Sequence, residues 1–167
     1  MTQSTSSSNA RFFAWMAVAA LVIIADQVTK WAIIEWVALY EKIPLNSFIN
    51  LTHQRNTGAA FSLLANAGGW QRWFFIVLGV VVSIVIAVWL WRIRKQRLAV
   101  LSAGLALVLG GAIGNLIDRI ALGYVTDFIQ VWFGNWAFPS FNVADAGITV
   151  GTFWVALNLF FKKKEEF

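Results

Sequence analysis

FFAWMAVAALVIIADQVTKWAIIEW, residues Phe12–Trp36, is the stretch that decides the fold. Phe12–Ala25 carries no charge, and Arg11 stands directly before it. A basic residue followed by an apolar run also opens a cleavable signal peptide. This run instead continues through ADQVTKW to Trp36 with no convincing cleavage site. It is long enough to cross a bilayer, which takes about 20 residues of helix. The reading is an uncleaved membrane-spanning helix over about residues 12–36 that carries Asp26 and Lys30 in its second half.

Three more apolar runs lie outward from it, over about residues 73–91, 98–116 and 143–161. Residues 41–69 are too polar to span. Their β-branched residues, with turn formers at Pro44, Asn46, Asn56 and Gly58, predict a small β-structure outside the membrane. Residues 1–10 are Ser/Thr-rich and read as a disordered cytoplasmic tail, and 11–167 as one domain. The composition agrees, since 59% of residues are hydrophobic and only 13% charged. A net charge of +5 suggests nucleic acid in a soluble protein, but here the basic residues sit at the ends of the apolar runs. The absence of Cys removes disulfides, thiolate metal sites and a cysteine nucleophile, and a single His53 argues against a His-based zinc site or a Ser–His pair.

Charge asymmetry orients the chain. With four spans, Arg11, Arg92–Arg97 and Lys162–Lys164 fall on one face, and Lys42, Arg55, Arg72 and Arg119 on the other. The positive-inside rule then puts both termini in the cytoplasm. Trp31, Trp36, Trp70, Trp73, Trp132 and Trp136 are placed in an outer aromatic belt, and Trp89 and Trp91 in an inner one.

Function is concentrated in GYVTDFIQVWFGNWAFPSFNVADAGIT, Gly123–Thr149, which carries Asp127 and Asp145 in an apolar, aromatic setting. Intramembrane carboxylates are costly and functional by default. Two that meet in a low-dielectric site divide into one protonated and one ionised partner, the acid and base of an aspartic protease. Depth supports a meeting. At about 1.5 Å per residue, Asp26 lies roughly 22 Å above Arg11, Asp145 roughly 25 Å above Lys162, and Asn115 roughly 27 Å above Arg97. Three helices therefore bring polar groups to one layer beneath the outer surface.

Each of these residues also has a plainer reading. Asp145 is placed where a helix dipole favours a carboxylate, and Asn142 where an N-cap is wanted. Asp127 reads equally as a loop carboxylate facing water. Gly110 and Gly114 in GGAIGNLIDR form a GxxxG that admits a neighbouring helix. Asn115, Asp118 and Arg119 share a helical face, either as charge compensation at a helix end or with Asn115 and Arg119 holding substrate carbonyls. Asp26 and Lys30, at i and i+4, fit an intrahelical ion pair. Gly58 permits a tight turn that lets Asn56 offer a donor and an acceptor to a peptide backbone, though turn formation alone also explains Asn56.

ADQVTKW, RNTGAAFSLL, GGAIGNLIDR, GYVTDF and FNVADAGIT together resemble the lipoprotein signal peptidases (signal peptidase II) of bacteria, over nearly the whole chain beyond the N-terminal tail. The resemblance implies a mainly α polytopic membrane protein, with four transmembrane helices, a small periplasmic β-cradle and an amphipathic periplasmic segment. It implies Asp127 and Asp145 as the catalytic dyad. Asn56, Gly58, Asn115, Arg119 and Asn142 are implied as substrate-binding or site-ordering residues, and Asp26, Lys30 and Asp118 as structural support. The implied enzyme removes the signal peptide from diacylglyceryl-modified prolipoproteins, cutting before the lipid-modified Cys. It needs no metal or organic cofactor. Its partners are prolipoproteins and membrane lipid, without nucleic acid, and it acts as a monomer in the bacterial inner membrane with its site near the periplasmic face. Two rivals are a small proton- or ion-coupled transporter and a non-enzymatic scaffold. The first wants carboxylates spread along a pore. The second gives no reason to group two Asp with Asn and Arg.

Overall fold

A computed structural model describes residues 2–58 and 68–162. Four long helices and four short strands follow in the order α1 (Thr2–Trp36), β1 (Lys42–Pro44), β2 (Ile49–Asn56), α2 (Trp70–Ile93), α3 (Ala99–Ala121), β3 (Val125–Phe133), β4 (Trp136–Ala137) and α4 (Val143–Lys162). Each helix contains a segment long and apolar enough to cross a membrane, at Ser7–Trp36, Trp70–Ile93, Ala99–Ala121 and Val143–Phe161. Large apolar side chains such as Leu21, Val77, Ile84 and Phe153 stand exposed on α1, α2 and α4, the surface a lipid solvent calls for.

The helices are arranged around α3. It packs against α1, α2 and α4, whereas α2 and α4 make no substantial contact with each other. More than half of the apolar window of α3 (56%) is buried inside the protein, against 11% for each of the other three. Small residues make this possible. Gly110 faces Ala19 and Val22 of α1, so the GxxxG pair does admit a neighbouring helix. A methyl group on Gly114 would stand 2.6 Å from the carboxylate of Asp26, and one on Gly111 would collide with the carbonyl of Ala144. We expect Gly111→Ala to cost about 1–3 kcal/mol through overpacking against the Ala144 carbonyl. Thermal unfolding in detergent tests this, and a wild-type midpoint would show that the helices have room there.

The strands form one antiparallel sheet in the order β1-β2-β3-β4. The β-structure expected in 41–69 is therefore only half of it. Its other half comes from VTDFIQVWF, whose β-branched and aromatic residues pair β3 to β2 with Gln54 opposite Asp127 and Asn56 opposite Val125. Asp127 lies on this strand and is buried, not in a loop facing water.

Two other expectations need adjusting. The residues read as a disordered tail are helical from Thr2, because this end is docked. The side chain of Asn9 accepts a bond of 3.2 Å from Arg94, and Arg11 donates to the Arg94 carbonyl at 3.1 Å. The third helix runs to Ala121, five residues past the expected 116, which places Asp118 and Arg119 on the helix. Among the described residues no separate amphipathic helix lies outside the spans. The stretch 59–67, and with it part of the RNTGAAFSLL motif, lies outside the described residues.

Candidate active site

Asp127 and Asp145 arrive from different elements. β3 presents Asp127 from the sheet, and the first turn of α4 presents Asp145. Asn142 joins them. Its side-chain oxygen accepts the Asp145 backbone N–H at 2.9 Å, while Asp145 accepts the Asn142 N–H at 3.3 Å. This reciprocal pair has the geometry of a capping box. With its oxygen so committed, the Asn142 amide turns its nitrogen to Asp127 Oδ1 at 2.7 Å. One side chain thus caps α4 and also bonds Asp127.

The remaining bonds complete the frame. Asn56 Nδ2 donates to the other Asp127 oxygen at 3.0 Å, and its own oxygen accepts the Gly58 N–H at 3.0 Å. Both ends of Asn56 are therefore engaged inside the protein, each by one bond, while the residue also lines the cavity. Asn115 Nδ2 donates to Asp145 Oδ1 at 2.8 Å. Arg119 donates to the Gly58 carbonyl at 2.9 Å and sits over the ring of Phe75 at 5.0 Å. It thereby ties the turn after β2 to α3.

Asp26 and Lys30 do form the intrahelical pair, at 2.8 Å, but the network extends well beyond it. Lys30 also reaches Asp118 at 3.2 Å and the Asn115 oxygen at 3.0 Å. Asp118 therefore compensates Lys30 by direct contact, and its charge also acts on the nearby Arg119. Gln27 was not anticipated as a site residue, although it is a polar group in an apolar span. It donates to Asp118 at 2.9 Å and to the Gly114 carbonyl at 3.1 Å.

Asp127 and Asp145 both line a cavity of about 820 Å³ together with Asn56, Asn115 and Arg119. Its apolar walls come from Phe75, Leu78 and Val82 of α2, Ile148 and Val150 of α4, and Phe138 and Phe141 before α4. Because α2 and α4 do not close on each other, these walls belong to two separated helices. Burial pushes the Asp127 carboxyl up to about 7, and the neighbouring Asp145 adds to the shift. Hydrogen bonds from Asn56 and Asn142 and the charge of Lys30 oppose it. Such a carboxyl is poised to hold or release a proton near neutrality. Among the described residues, no group of three or more His, Cys, Asp or Glu side chains converges as metal ligands.

The family model described as signal peptidase (SPase) II matches residues 18–161. The chain belongs to the signal peptidase II family. Proteins named lipoprotein signal peptidase are similar to it over most of their lengths. That of Acinetobacter baumannii (strain ATCC 17978) is 48% identical over 151 residues, covering 90% of this chain and 85% of that one. That of Pseudomonas putida is 49% identical over 155 residues, covering 92% and 90%. Two solved structures, each described as a bacterial membrane enzyme determined by the in meso method, share the fold. The first, at 2.3 Å, has a TM-score of 0.82 at 28% identity and covers 92% of both chains. The second, at 1.9 Å, has a TM-score of 0.73 at 29% identity, covering 87% of this chain and 92% of that one. These likenesses give a multi-pass bacterial membrane peptidase and no support to the transporter reading.

Proposed function

We propose that this signal peptidase II removes the signal peptide from prolipoproteins by aspartic chemistry, cutting before the lipid-modified Cys. One observation carries the mechanism: two carboxylates from different elements, Asp127 buried and Asp145 half-buried, face one cavity, and Asn142 bonds both, Asp127 through its side-chain nitrogen and Asp145 through its backbone N–H. Asp145, on the first turn of α4 where the helix dipole favours negative charge, is the base. Asp127 carries the proton. A water between them gives its proton to Asp145 and attacks the scissile carbonyl, whose oxygen accepts a hydrogen bond from Asp127. Transfer of the Asp127 proton to that oxygen gives a tetrahedral diol, which collapses when Asp145 passes its proton to the amine nitrogen, the new N-terminus, and a diol hydroxyl returns a proton to Asp127. Among the described residues, the hydrogen bonds to the two carboxylates come from amide N–H groups, which hold them without giving up a proton.

The test is to incubate the purified protein with a diacylglyceryl-modified prolipoprotein and map the product. The expected new N-terminus is the lipidated Cys, formed at an unchanged rate in the presence of a chelator. Cleavage elsewhere, or loss of activity restored by one cation, would overturn the reading.

The same proposal sets the orientation: an inner-membrane protein, monomeric, with cytoplasmic termini and the dyad near the periplasmic face. A reporter fused after Trp91 is expected to read cytoplasm, and one fused at the exposed β3–β4 turn, after Asn135, periplasm. A cytoplasmic signal from the Asn135 fusion would turn the site to the wrong compartment.

A further inference from the structure

Asp26, Lys30 and Asp118 are buried, and no step of the proposed chemistry uses them. Each supporting carboxylate grips one particular backbone group. Asp26 Oδ1 accepts the N–H of Ala144 at 2.8 Å, and Asp118 Oδ2 accepts the N–H of Thr126 at 3.0 Å. Ala144 directly precedes Asp145, and Thr126 directly precedes Asp127. Lys30 stands between the two carboxylates, 2.8 Å from Asp26 and 3.2 Å from Asp118.

We infer that Asp26, Lys30 and Asp118 form a positioning clamp that holds α4 and β3 at the separation the dyad requires and fixes the amide of Asn115 toward Asp145. This rests on the dyad reading above. The amide part follows from donor and acceptor count. Lys30 has donors only, so it takes the Asn115 oxygen, at 3.0 Å. Asn142 Nδ2 donates to the same oxygen at 3.2 Å. With its oxygen claimed twice, Asn115 presents its nitrogen to Asp145. A reversed amide would set an oxygen against a carboxylate oxygen and nitrogen donors against the Lys30 ammonium.

A plainer role would be stability alone. Energetics argue against it, because buried ion pairs seldom stabilise more than apolar groups of the same volume. Charges within a membrane span are costlier still. Three of them at one place, each bonded to a group next to the dyad, fit a demand for geometry. Lys30 also acts at a distance, as its charge opposes the upward shift of Asp127. The charged groups around the dyad are Asp26 and Lys30 from α1, Asp118 and Arg119 from α3, and Asp127 and Asp145 themselves from β3 and α4.

The experiment compares Lys30→Met, Lys30→Arg, Asp26→Asn and Asp118→Asn with wild type, and includes Asp127→Asn and Asp145→Asn. Turnover is counted per folded molecule, from the amplitude of the thermal unfolding transition, and a pH profile is recorded for each. For Lys30→Met we expect kcat to fall about tenfold or more with KM within about twofold of wild type, the pattern of a lost transition-state interaction. The limb of kcat/KM assigned to Asp127 should move to higher pH, since a nearby positive charge has been lost. Asp26→Asn and Asp118→Asn keep an acceptor oxygen for the Ala144 or Thr126 N–H, so they should lose less than the matching Ala variants. Should Lys30→Met not fold, Lys30→Arg and Asp118→Asn decide by the same kcat and KM criteria. Wild-type kcat per folded molecule, a loss confined to KM, or an unmoved pH limb would each overturn the clamp. Turnover in Asp127→Asn or Asp145→Asn above a small residual level would instead remove the dyad itself, a result distinct from failure of the clamp alone.

Discussion

Asp127→Asn and Asp145→Asn are each expected to leave a folded membrane protein that cleaves prolipoprotein about a thousandfold more slowly than wild type, within the span that positioned acid–base groups contribute. Asn preserves size and planarity but cannot serve as a general base or deliver a carboxyl proton. Folding should survive, because each carboxylate is held by amide donors and an Asn oxygen still accepts one of them. At position 127 the donors come from Asn142 at 2.7 Å and Asn56 at 3.0 Å, so an amide there keeps one bond and turns its nitrogen toward the other donor. That mismatch costs some stability without dismantling the sheet. The wild-type pH profile supplies a second check. With the Asp127 carboxyl held at about 7 by burial and by Asp145, it carries its proton below that pH and loses it above. As the proton donor in the proposed mechanism, it should make kcat/KM fall as pH rises through about 7, with the limb belonging to the coupled pair. A rise over the same interval would exchange the roles of the two carboxylates. Turnover of either Asn variant at more than a small residual level would take that residue out of the chemistry.

The four spans were legible because hydrophobic length is a one-dimensional property, and each of the four runs became a helix. The shared depth of Asp26, Asn115 and Asp145 was legible for the same reason: helical rise converts residue number into height. Those groups do meet, through Asn115 on Asp145 at 2.8 Å and Asp26 on the N–H next to Asp145 at 2.8 Å. The third strand was not read. VTDFIQVWF follows an apolar helix and sits among aromatics, so its β character became visible only once β2 supplied a partner. The division of labour among the polar residues was also beyond the sequence. Asp26–Lys30 reads as a local i,i+4 pair, and nothing in its spacing announces that Asp26 holds α4 or that Lys30 reaches Asp118 on another helix. Asn56 and Asn142 stood out as amides that could serve the carboxylates, but which of their atoms face them depends on bonds made across the fold.

A prolipoprotein carrying its diacylglyceryl group should be cleaved with kcat/KM at least about a hundredfold above the same protein without it, since each buried methylene contributes about 0.8 kcal/mol and a few suffice for two decades. The reason lies in where the dyad sits. Asn115 and Asp145 belong to membrane-spanning helices, and the cavity they line has apolar walls from α2 and α4, which do not close on each other. A soluble peptide would have to carry unpaired backbone groups into that layer, each costing several kcal/mol in hydrocarbon. A substrate whose signal helix already spans the bilayer arrives with those groups bonded. The gap between α2 and α4, walled by Phe75, Leu78, Val82, Ile148 and Val150, then offers it a lateral way in. The signal helix alone leaves the scissile bond free to slide along the membrane normal, whereas two acyl chains seated in the outer leaflet fix its height against Asp127 and Asp145. Lipid attachment should therefore raise kcat as well as lower KM, because it restricts the bond to reactive geometry. The comparison needs one prolipoprotein in both forms, in a single detergent or lipid, with initial rates over a range of concentrations. Equal kcat/KM for the two would mean that the peptide alone sets the register, and that the depth of the dyad contributes nothing to recognition.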